Sequence, residues 1–153
     1  MATIIPKAPK ISTTTVVSVF DVRKRQYERA LEAFNSYVPR GSGYDINDII
    51  EEELLLCAAV ECQSALLATP TSALADVAFK IQQSRDELDE FSDDDGAVAL
   101  LDSAIAALQA GNPSEAIRAI EGAIGAVSID HADAFLEGAI AALGDLRRKE
   151  GAK

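Results

Sequence analysis

The sequence predicts an all-α protein: a six-helix antiparallel bundle built of αα-hairpins behind an extended N-terminal arm. Three observations carry this reading. Apolar residues recur at helical spacing on both sides of Gly111-Asn112-Pro113, within Leu100–Val127. Helix-stop and helix-start residues recur at 39–45, 69–72, 92–96 and 111–113. Apolar residues make up 48% of the chain but aromatics only 5%, with no Trp. That balance, rich in alanine, suits a thin core of closely packed helices. The expected division is an arm over 1–17, extended or disordered, and one helical domain over 18–153.

The hairpin at 100–127 is the best-specified element. Gly111 stands where a helix C′ residue takes the left-handed conformation without a Cβ clash. Asn112 is expected as N-cap, Pro113 as the first helical residue, and Glu115 as the second half of a capping box. Before the turn the stripe is Val98, Leu101, Ala104, Ile105 and Leu108. After it come Ala116, Ile117, Ile120, Ala123, Ile124 and Val127. The residues ALQAGNPSEAIRAIEGAI resemble a tetratricopeptide-type hairpin. The resemblance covers about one repeat, and no second copy follows at the period of about 34 residues that such arrays need.

Along the chain, Pro6 and Pro9 exclude a helix from the arm, and Ile11–Val17 is rich in β-branched residues. Such an arm suits addition to a partner's surface or sheet edge. The first helix is expected from Ser18, with Asp21 in a capping box and Phe20, Tyr27, Leu31, Phe34 and Val38 inward. Pro39–Gly43 ends it, and Tyr44 is expected to pack inward. The second helix is expected over Ile46–Ala68, capped by Asp45 or Asn47. Its run Leu54–Val60 is apolar nearly all round. Such a helix is central in a bundle or contributes to an interface. It is expected here as the most buried helix, with Ile46, Ile49, Ile50, Leu54, Cys57, Ala58, Ala65, Leu66 and Leu67 facing the core.

The third helix is expected over Ser72–Phe91, with Leu74, Val77, Ala78, Ile81, Leu88 and Phe91 inward. The fourth and fifth are expected over Asp94–Ala110 and Pro113–Val127. The sixth, over His131–Lys149, turns Phe135, Leu136, Ala139, Ile140, Leu143 and Leu146 inward. Its Arg147, Arg148 and Lys149 suit the negative end of the helix dipole. Gly122, Gly125, Gly138 and Gly144 sit inside helices, where each costs about 1 kcal/mol against Ala. They imply close helix–helix approach, within the chain or with another copy.

The segment LLATPTSALADVAFKIQ resembles small helical proteins encoded by proteobacterial phages and prophages. There a long helix ends in Ala-Thr-Pro and the next opens with Leu-Ala and an aromatic-Lys pair, here Phe79-Lys80. The likeness covers about residues 18–110. It implies an all-helical fold and carries no activity, and Asn112–Lys153 has no clear counterpart in it.

The formal charge of −11 argues against the whole surface being a nucleic-acid site, although the basic patch on the first helix could meet phosphate or an acidic partner. Its distribution is uneven, since residues 1–40 carry +4 and residues 41–153 carry −15. Cys57 and Cys62 lie five apart on one helix, pointing to different faces, so free buried thiols in a reducing cytoplasm are expected. No run approaches the roughly 20 apolar residues of a membrane span, and no secretory leader is recognised.

Chemistry is scarce. His131 is the only histidine, and beside Asp130 and Asp133 at a helix start it reads as a surface residue. A Ser-His-Asp, Cys-His or Cys/His zinc site would have to use it. Asp93, Asp95, Gly96 and Asp102 imitate part of a calcium loop, but the first position falls on Phe91 and the twelfth on Asp102. Glu53 and Glu61 share a face with Leu54 and Cys57, at a boundary position open to water. No enzyme activity, metal or cofactor is expected. The expected function is a phage or prophage accessory protein binding a host or viral protein as adaptor or inhibitor of host defence. The binding residues would be the acidic ridge Asp86, Glu87, Asp89, Glu90, Asp93, Asp94 and Asp95, with the basic patch Arg23, Lys24, Arg25 and Arg29 as a second surface. That patch otherwise reads as a solvated face pairing with the acidic remainder. The rival is a virion or assembly protein, a homo-oligomer whose arm laces onto neighbouring copies. A small ligand in a helical groove is the third reading.

Overall fold

The computed structural model describes residues 3–4, 16–39, 41, 43–127 and 135–152. Among them it is all-helical, with no strand. The order is α1 (Val19–Asn35), α2 (Ile46–Ala68), α3 (Leu74–Phe91), α4 (Asp95–Gln109), α5 (Pro113–Ala126) and α6 (Glu137–Gly151). The predicted arm is outside the described residues apart from Thr3, Ile4, Val16 and Val17.

Local chemistry sets the helix ends. Ser18 and Asp21 form the expected reciprocal cap, and Asp45 with Asp48 does the same for α2. At the α4–α5 turn, Gly111 has φ +75°, and Asn112 N–H reaches Ala107 O at 2.8 Å while Gly111 N–H reaches Leu108 O at 3.1 Å. Those two bonds satisfy the last carbonyls of α4. Asn112 caps α5 by accepting from Glu115 N–H, but the reciprocal half differs from expectation. The Glu115 carboxylate accepts from the Asn112 side-chain amide, because the Asn112 backbone N–H is already held by Ala107.

The core lies among α3, α4, α5 and α6. Val77, Ile81, Leu88, Leu101, Ala104, Ile120, Leu136, Ala139 and Leu146 form its centre. The predicted stripes of α4 and α5 are the observed ones. Neighbouring helices run antiparallel where residue pairs show direction. Ser114 meets Glu150 while Glu121 meets Arg147, and Lys80 meets Asp145 while Ser84 meets Ala139. α6 starts at Glu137, after a non-helical Leu136 with φ −113° and ψ 13°. The predicted start at His131 lies outside the described residues.

Three buried polar side chains hold α3 to α6 from inside. Lys80 and Asp145 form an ion pair at 2.5 Å with both side chains 1% exposed. Lys80 also donates to Thr69 O at 2.6 Å, and Asp145 also accepts from Arg148. Ser84 Oγ accepts from Ala139 N–H at 2.8 Å. It thereby supplies the N-cap that α6 lacks in its own sequence. Gly138 makes this close approach possible, since a Cβ there would overlap the Lys80 carbonyl. Within the chain, a close approach of helices is found at Gly122 and not at Gly125 or Gly144. Gly122 has only Leu100 near it, and around Gly125 and Gly144 a Cβ would meet nothing within 4 Å.

α2 departs furthest from expectation. Only Asp48, Ala59, Leu66 and Leu67 are buried, so it is not the most buried helix. An all-round apolar sequence gives periodicity no face to choose. Polar anchors choose it instead. Tyr37 donates to Asp48 at 2.9 Å, and Gln63 bonds Gln83 of α3 at 3.2 Å, which turns Ile46, Ile50 and Leu54 outward. The side-chain expectations for Cys57, Tyr44, Phe91 and Ile140 also fail, since all four are exposed.

Candidate protein-binding surfaces

The acidic ridge divides once it is folded. Asp94 is consumed as the N-cap of α4, accepting from Ala97 N–H at 3.0 Å. Asp86 and Asp89 flank Arg85, at 3.4 and 3.3 Å, and Asp102 of α4 completes that cluster at 3.0 Å. The guanidinium of Arg85 is stabilised above its ordinary value, first by the bond to Asp102. Glu87 turns inward, accepting from Gln63 at 3.5 Å. Burial raises its carboxyl above the ordinary value, the Gln63 bond opposes this, and Glu137 adds to it. Glu90, Asp93 and Asp95 are left exposed. Asp102 lies within α4 and Gly96 in its first turn, so residues 91–102 form a helix end rather than a cation loop.

The basic patch on α1 behaves differently from the expected pairing with acids. Lys24 Nζ lies 4.7 Å from the centre of the Phe79 ring, which packs edge-to-face on Phe20. Arg23, Arg25 and Arg29 are exposed, and no described ion pair includes them.

The surface missed by sequence reasoning is the outer face of α2. Ile46 is 70% and Leu54 65% exposed, and Ile49, Ile50, Leu56 and Val60 are each roughly half exposed. Cys57 lies among them. At 100° per residue, Ile46, Ile50, Leu54 and Cys57 make one row. Ile49, Leu56, Val60 and Leu67 make the row beside it. Glu51, Glu53 and Glu61 stand exposed along the same helix. Two cavities open along the second row. Phe34, Tyr44, Ile49, Glu52, Glu53 and Leu56 line one of about 310 Å³. Leu67, Ala68, Glu137, Ile140 and Ala141 line another of about 310 Å³. The Tyr44 hydroxyl donates to Glu52 at the rim of the first, and its pKa is raised, chiefly by that bond.

A further cavity of about 340 Å³ lies over Asp145, between the α2–α3 connection and the end of α6. Its cations are engaged, Arg148 with Asp145 and Lys149 with Ser72 O at 3.1 Å. Lys80, Ser84 and Asp145 were the other residues sequence reasoning passed over. A signal for them existed. Lys80 and Ser84 follow Val77 at i+3 and i+7, and Asp145 follows Ala142 at i+3, all on apolar stripes.

No family model, no curated protein and no solved structure matches this chain. No helix among the described residues is long and apolar enough to cross a membrane.

Proposed function

We propose that this chain is a protein-binding protein without a reaction of its own, and that it holds its partner on the outer face of α2. The carrying observation is the aliphatic strip Ile46, Ile49, Ile50, Leu54, Leu56 and Val60 standing in solvent on a well-formed helix. A contiguous exposed apolar patch with a charged rim is the usual mark of an association site. A partner covering half of it would gain on the order of 5 kcal/mol from apolar burial, set against the entropic cost of association. Acidic residues stand with these apolar ones, Glu51 at the edge and Glu53 and Glu61 on the face itself, so the fitting partner carries apolar side chains interspersed with Lys or Arg. Glu90, Asp93 and Asp95 give the field the same sign and speed encounter with such a partner.

The likeness of residues 18–110 to phage and prophage proteins supports a partner from an infected cell, host or viral, met in the cytoplasm. The chain would act there as adaptor or inhibitor of host defence. The assembly reading, with an arm lacing onto neighbouring copies, draws on the arm's opposite chemistry. The test compares full chains carrying Ile50→Ser/Leu54→Ser with chains carrying Glu90→Ser/Asp93→Ser/Asp95→Ser. Partners captured by the unmodified chain are rebound with both components purified. Binding lost with the α2 pair and slowed with the acidic triple is expected. Unchanged affinity in the α2 pair removes the reading.

A further inference from the structure

We propose that the outer groove of α2 receives residues 1–17 of a second copy of this chain. This rests on the reading of α2 as a docking face and names the occupant it holds in the assembled chain, which an outside partner on that face would displace. Two cavities of about 310 Å³ mark this face, one at Ile49 and Leu56 and one at Leu67, and Val60 stands between them on the same helix row, the four residues falling at i, i+7, i+11 and i+18. Ile49 and Leu67 are about 27 Å apart along the helix at 1.5 Å per residue. An extended segment of about eight residues spans that distance at 3.3 Å per residue. The 17-residue arm has length to spare.

Charge selects the occupant. The cavity linings contribute Glu52, Glu53 and Glu137 and no Lys or Arg. The arm contributes Lys7 and Lys10, no Asp or Glu, and the apolar Ile4, Ile5, Ile11, Val16 and Val17. A second α2 laid face to face would set Glu51, Glu53 and Glu61 against one another, which opposes association. At the described positions of the chain's own arm, Ile4 and Val16 stand in solvent, 90% and 88% exposed, and so are available to dock on another copy. Such an exchange closes into a dimer when reciprocal, and extends into rings or filaments when it runs head to tail.

The test uses the full chain with Cys62→Ser and a benzophenone maleimide on Cys57, which stands exposed beside the groove. Copies labelled with 14N and 15N are mixed and photolysed, and the linked peptides are read by mass spectrometry. Expected are adducts joining Cys57 of one isotopic form to residues 1–17 of the other. Their yield should fall severalfold with Lys7→Glu/Lys10→Glu and with excess synthetic peptide 1–17. Adducts to the arm of the same copy, adducts between two α2 helices, or no adduct between copies each overturn the proposal. None of these removes α2 as a docking face, which falls separately if Ile50→Ser/Leu54→Ser leaves binding of a purified partner unchanged.

Discussion

Replacing Gly138 by Ala tests the packing that holds α3 to α6. Away from contacts the change would favour the helix by about 1 kcal/mol. Here the new Cβ would overlap the Lys80 carbonyl oxygen and stand 3.1 Å from Ser84 Oγ and 3.2 Å from the Lys80 carbonyl carbon. Backbone cannot swing aside as a flexible side chain can, so the helices must separate. Separation stretches the Ser84–Ala139 bond of 2.8 Å and the buried Lys80–Asp145 pair at 2.5 Å. Overpacking costs about 1–3 kcal/mol. Weakening a buried hydrogen bond adds about 1 kcal/mol. Set against the helix gain of about 1 kcal/mol, the net expectation is a loss of about 1–3 kcal/mol, a sizeable fraction of the 5–15 kcal/mol typical of a domain. Gly144→Ala, on the same helix with no atom within 4 Å of its Cβ, is the control and should gain up to about 1 kcal/mol. Urea unfolding followed by circular dichroism measures both, with an unchanged slope confirming a stability effect. A Gly138→Ala chain as stable as the parent would refute the close α3–α6 approach.

Two other perturbations probe buried charge. Asp145→Ala leaves the buried Lys80 ammonium with Thr69 O and the Phe20 ring but no counter-charge and should cost about 3–5 kcal/mol, whereas the double change Lys80→Met/Asp145→Leu should cost less than that single, as read by the same unfolding curves. Glu87→Gln should stabilise the chain near neutral pH, because burial raises the Glu87 carboxyl and penalises its anion only in the folded state. That penalty is full above the raised folded value and absent below the ordinary value of 4.5, so the advantage should shrink as pH falls. An advantage that grows on acidification contradicts it.

The sequence spoke clearly where local chemistry and periodicity agreed. Gly111, Asn112 and Pro113 specify a turn with two exits, and the flanking stripes have one apolar side each, so α4 and α5 were legible in detail. α2 was legible as a helix, with its cap at Asp45, but its orientation was not. Its apolar residues surround the axis, and the deciding contacts, Tyr37 with Asp48 and Gln63 with Gln83, depend on tertiary neighbours. The acidic ridge read as one surface because charge runs are continuous in sequence. Folding assigns Asp94 to a cap, Asp86 and Asp89 to Arg85, and Glu87 to the interior side, which leaves Glu90, Asp93 and Asp95 in water. Lys80 and Asp145 were passed over because a charged residue on an apolar stripe reads as an interruption until its partner on another helix is known.

The central claim is that the outer face of α2 is open to a partner rather than packed into the chain's own core. Cys57 reports on it directly, since it stands exposed in the middle of that face. The measurement is the rate at which an uncharged thiol reagent modifies Cys57 in the dilute, folded Cys62→Ser chain, compared with an unstructured cysteine peptide. A rate close to that of the peptide, slowed when partner or concentrated chain is added, is the expected result. A rate slower by orders of magnitude in the dilute folded chain, restored only by unfolding, would place Cys57 in a core and contradict the account.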